Sequence, residues 1–115
     1  MTDNDNINVS TFRRISKAWR EAEPPDGSHF SNTVYAAINR YMAEGVAPGG
    51  FTKACLANDL RNAVSRADER RREELVQIVR FIGAHVPVVA CGSWGAVSKW
   101  CQAATASHDE DAGAQ

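Results

Sequence analysis

Gly45 and Gly50 stand five positions apart in the stretch GVAPGGFTKACLANDLRNAVSRAD, residues 45–68. A phosphate-binding loop uses that spacing, because backbone N–H groups then cradle phosphate oxygens. It also needs a lysine directly after the second glycine and then a Ser or Thr for magnesium. Here Phe51 follows Gly50, and Lys53 comes two places late. The preceding element also reads as a helix, not a strand. The glycines fit better as punctuation. Gly45 ends one helix, Pro48 blocks its continuation, and Gly49–Gly50 open the next.

Other chemistry is thin. Cys55, Cys91 and Cys101 are odd in number and widely spaced, which suits neither a disulfide framework nor a zinc site. Each sits in an apolar setting that keeps a thiol protonated. They read as reduced thiols in a cytosol. His29, His85 and His108 share no metal-ligand spacing with one another or with the cysteines. There is no G-x-S-x-G elbow and no evident pair of buried acids. The sequence therefore assigns no catalytic residue, no metal ligand and no cofactor. The expectation is a protein that is not an enzyme.

Two polar stripes remain as contact candidates. Arg13, Lys17 and Arg20 fall at i, i+4 and i+7. Asn58, Asn62 and Ser65 repeat that spacing, flanked by Arg61 and Arg66. Arg and amides make several hydrogen bonds each, which suits a partner surface. The plainer alternative is a solvated helix face. The run DERRREE at 68–74 can pair internally, Arg70 with Glu74 at i+4. Asp59 borders the apolar stripe between Cys55 and Ala63. A carboxylate there needs donors, from Asn62 or another helix's N-terminus, so its expected role is structural.

The segment AEGVAPGGFTKACL also resembles the turn and recognition-helix start of helix-turn-helix proteins. Val46, Thr52 and Lys53 fit that pattern. Tyr41 departs from it, since alanine usually stands four places before the turn glycine. The helix that follows also reads as longer and more alanine-lined than a typical DNA reader.

The elements that must position these residues all read as helices, predicting an all-α bundle of four to five. Residues 1–10 are polar and read as a disordered tail. Ser10 or Thr11 caps a first helix with Phe12, Ile15, Trp19 and Ala22 inward. EPPDGS at 23–28 ends it. Ser31 or Asn32 caps a second, with Val34, Ile38 and Tyr41 inward. A third begins near Gly50 and keeps Leu56, Leu60, Ala63 and Ala67 on one face. A break is expected near 67–70, with Asp68 capping a fourth helix that faces inward through Leu75, Ile78, Val79 and Ile82. Gly83 and Pro87 close it. VPVVACG at 86–92 reads as a buried connector, since a lone strand has no partner. Ser93 caps a last helix with Trp94, Val97, Trp100 and Cys101 inward. The domain is expected over 11–105, followed by a flexible acidic tail, 106–115.

At 115 residues and 43% hydrophobic, the chain suits one domain. No apolar run reaches a membrane span of about 20 residues, and the start lacks the pattern of a secretory signal. A cytoplasmic protein is expected. The net charge of −1 hides an asymmetry. Setting aside the five acids of the two ends leaves nine acids and thirteen bases between 12 and 107. That body permits an acidic partner or weak, nonspecific nucleic-acid binding.

YMAEGVAPGGFTKACLANDLRNAVSRAD, together with PVVACGSWGAVSKW, resembles a group of small phage- and prophage-encoded proteins of mostly unknown function. The matching positions are Tyr41, Gly45, Pro48, Gly49, Gly50, Phe51, Leu56, Asn58, Asp59, Leu60, Ala67, Asp68, Pro87, Gly92, Ser93 and Trp100. The resemblance covers about residues 41–100, and Arg70–Arg72 departs from it where Asn is usual. It implies a phage accessory protein that binds a host protein or ribonucleoprotein complex. An anti-CRISPR protein acting on a CRISPR–Cas effector is its sharpest form. The alternatives are a helix-turn-helix-like DNA-binding regulator and a phage structural or assembly protein.

Overall fold

The computed structural model describes residues 7–113, with side chains through Asp111. It is all-α, with no strand among the described residues. Among the described residues six helices run in order: α1 Val9–Glu21, α2 Asn32–Glu44, α3 Gly50–Leu56, α4 Leu60–Arg66, α5 Glu69–His85 and α6 Trp94–Gly113. A 3-10 turn, Val88–Ala90, joins α5 to α6. α1 lies against α6 and α2, and α3 packs on α4, α5 and α6.

The centre is built on α2 and α6. Trp100, Tyr41, Ile38, Met42, Leu56 and Ile78 are fully buried. Two buried polar tips there find partners, as buried tips must. The Trp100 indole donates to the Tyr41 carbonyl at 2.7 Å. The Tyr41 hydroxyl donates to the Ala90 carbonyl at 2.6 Å, which fastens the 3-10 turn to α2. Phe12 of α1 meets Trp100 edge-on, centroids 4.8 Å apart. A second aromatic cluster, Phe30, Tyr35 and Phe81, holds the loop after α1 against α5.

Several boundaries differ from those expected. Asn8, not Ser10 or Thr11, caps α1 by accepting from the Thr11 amide at 2.8 Å. Residues 1–6 of the expected tail lie outside the described residues. The expected loose end from 106 is instead a continuation of α6 to Gly113. It is held by Arg13, which donates to the Ser107 hydroxyl and carbonyl and pairs with Asp111 at 2.8 Å.

The helix expected over 51–67 is two helices. α3 stops at Leu56 and α4 starts at Leu60. Asn58 takes a left-handed conformation, φ 59°. The Asp59 amide then bonds back to the Ala54 carbonyl, and the Asn58 amide to the Cys55 carbonyl. This is a Schellman closure, with Asn in the place where Gly is commoner. The turn re-aims Leu60, which is 64% exposed and not on the core face with Leu56 and Ala63.

The break at 67–68 stands where it was expected, with Asp68 capping α5 by accepting from the Arg71 amide. α5 runs through Gly83 to His85 rather than closing at the glycine. Its inward row is Ile78, Phe81, Ile82 and half-buried Leu75, while Val79 is exposed. Phe81 sets that phase by docking on Phe30. The 86–92 segment is a connector, with Val86 and Ala90 buried and Val88 in solvent.

Candidate functional site

The turn between α3 and α4 meets the start of α6, and this junction collects most of the unusual side chains. Asp59 caps α4 by accepting from the Asn62 amide at 3.2 Å and its side-chain amide at 2.6 Å. The same carboxylate accepts the Trp94 indole N–H at 2.8 Å. Those donors, the Asn62 side chain first and Trp94 next, hold the Asp59 carboxyl below its ordinary value. Gly92, at φ 97°, donates its amide to the Leu56 carbonyl at 2.7 Å, so α6's approach caps the end of α3. Ser93 caps α6 through the Ala96 amide. Trp94 was expected inward. As the first residue of α6 it instead overhangs the α3–α4 turn and stays 42% exposed.

The two polar stripes fare differently. On α1, Arg13 is engaged by Ser107, Asp111 and Glu110, and Arg20 donates to the Ala43 carbonyl at 3.0 Å. Both therefore hold helices together, and Lys17 between them stays exposed. The second stripe is split by the turn. Asn58 lies in it, Asn62 is bound to Asp59, and the Arg66 guanidinium lies over Gly50. Arg61 stays exposed on α4, beside Leu60 and Val64, which are 64% and 41% exposed and one turn apart. The Leu56–Leu60–Ala63–Ala67 period hides this apolar pair, because it places Leu60 inward on one unbroken helix. Asn-Asp at 58–59 was the signal for the break, since Asn tolerates left-handed backbone and Asp caps helices.

The glycine-rich entrance works as punctuation. Gly45 closes α2 at φ 72°, with its amide on the Tyr41 carbonyl. Gly49 stands at the N-cap of α3. α3 buries Phe51, Thr52, Ala54, Cys55 and Leu56, leaving Lys53 as the half-exposed side chain between them. A recognition helix needs several side chains free to reach base edges, and Thr52, 7% exposed, is not one.

Beside this junction a groove of about 560 Å³ runs between α6 and the start of α3. Trp94, Val97 and Cys101 form much of one side, and Ala47 and Lys53 the other. Burial pushes all three cysteine thiols up, Cys55 to about 11. Among the described residues no group of three His, Cys, Asp or Glu side chains is placed to hold a metal. No helix there is long and apolar enough to cross a membrane.

What the fold and its exposed faces define is a small all-α domain with exposed apolar pairs on α4, Leu60 and Val64, and on α5, Val76 and Val79, and an apolar groove on α6. No family model, curated protein or solved structure matches the chain.

Proposed function

We propose that the chain is a non-enzymatic, phage-encoded accessory protein that works by binding a host macromolecular complex, and that the outer face of α4 is its contact. The observation that carries this reading is Leu60. Among the positions that carry the phage resemblance, Gly45, Asn58 and Gly92 take left-handed turns, and Asp59, Asp68 and Ser93 cap helices. Tyr41, Phe51, Leu56, Ala67 and Trp100 fill the core. Leu60 is the large apolar side chain of that set left in solvent, with Val64 beside it and Arg61 on the same helix. Exposed apolar side chains next to Arg are interface chemistry, because they gain from desolvation and orient a partner through hydrogen bonds.

The sharpest form is an anti-CRISPR protein that occupies a surface of a CRISPR–Cas effector in the bacterial cytoplasm. The phage resemblance supports that choice of partner. The test is phage plaquing on CRISPR-active strains of several types. The parent restores plaques on at least one type, and Leu60→Glu with Val64→Glu loses that protection. A parent that protects on none removes the anti-CRISPR form.

A further inference from the structure

We propose that the groove between α6 and the start of α3 binds a small amphipathic anion, an apolar body carrying one carboxylate or sulfonate. This does not rest on the α4 reading, although the two surfaces meet at Trp94.

The volume, about 560 Å³, falls within the roughly 300–1,000 Å³ of small-molecule sites. Such sites pair apolar walls with a few polar groups that fix orientation. The walls here are the Trp94 ring, Val97 and Cys101. Trp94 is already held at its rim by the bond to Asp59. Lys53 is the cation of the groove, and its ammonium has no carboxylate partner among the described residues. The Cys101 thiol lines the same groove, and burial holds it above the usual thiol range, so it offers Lys53 no thiolate partner. Ser98 accepts from the Gln102 amide at 3.0 Å. Its own hydroxyl proton is left to donate.

The charge is uneven along this apolar groove. Trp94 lies seven residues before Cys101, about 10 Å along the helix. Asp109 lies eight residues after it, about 12 Å the other way. An anionic head therefore sits at Lys53 and Ser98. Its apolar body runs towards Trp94, away from the Asp109 carboxylate.

The test titrates decanoate, decanol and decyltrimethylammonium into the full chain, followed by calorimetry and tryptophan fluorescence. Decanoate should saturate at one site and bind at least about tenfold tighter than the cation. Lys53→Gln should weaken decanoate about tenfold and leave decanol unchanged, and Lys53→Arg should restore it. Ser98→Trp, at an exposed position, should fill the groove and block both. Absence of saturable decanoate binding below about 1 mM overturns the proposal. So does equal affinity for all three probes, or binding that Lys53→Gln and Ser98→Trp both leave intact.

Discussion

The Trp94 indole reaches the Asp59 carboxylate at 2.8 Å, joining the first turn of α6 to the first turn of α4 across 35 positions of sequence. That one carboxylate caps a helix and anchors the aromatic ring that borders the groove. The exposed face of α4 and the groove of α6 therefore share a support.

Asp59→Ala removes the cap and the indole acceptor together, and should lower Tm at neutral pH. The carboxyl's folded pKa lies below its ordinary 3.8. A group lowered in this way contributes stability above its unfolded pKa and loses it as pH falls through the folded value. The gap in Tm between parent and variant should accordingly narrow below about pH 4. Thermal melts across acid pH check it, and a gap that widens there would contradict the assignment.

Gly45 and Gly50 should separate cleanly. Gly45 has φ 72°, and a Cβ there would come within 2.0 Å of the Ala104 Cβ and 3.2 Å of Phe12. Backbone strain and overpacking add, so Gly45→Ala should cost about 2 kcal/mol or more. Gly50 is not among the glycines with positive φ, and the atoms nearest a new Cβ belong to the flexible Arg66 side chain. Gly50→Ala should stay within about 0.5 kcal/mol. Urea unfolding measures both, and equal losses would contradict the different needs of the two sites.

Arg13→Glu should loosen the end of α6 without touching partner binding. Its partners, Asp111 and Glu110, are exposed carboxylates, so part of the effect should be screened by salt. Hydrogen exchange should show faster amides around Ser107–Asp111, with the turns around Trp100 still protected. Loss of partner binding in this variant would return the interface to α1.

The helical class, Gly45's turn, the Asp68 cap and the Ser93 cap were all legible, because each is a local signal. The core residues of α2 were legible too, since Val34, Ile38 and Tyr41 keep a clean helical period. The break at Asn58 is signalled locally only by the Asn58–Asp59 pair, and the apolar period around it points the other way. A Leu56–Leu60–Ala63–Ala67 pattern reads as one face whether or not the chain turns between the first two. What decides it is tertiary: the Gly92 amide on the Leu56 carbonyl and the Trp94 indole on Asp59 arrive from far along the sequence. The helical end of α6 is hidden in the sequence for the same reason. Its polar SHDED looks like a tail until Arg13, 98 positions from Asp111, is placed against it.

The most direct test of the α4 interface is a side-by-side affinity purification from a CRISPR-active bacterial lysate. It compares the parent with Leu60→Glu/Val64→Glu, after circular dichroism has shown equal folding. The parent should retain the subunits of one host complex in constant proportion. The double variant should lose them, because two carboxylates replace the apolar contact and meet a surface built to bury it. A parent that retains no complex, or a double variant that retains the same complex equally well, would contradict the claim that α4 is the contact.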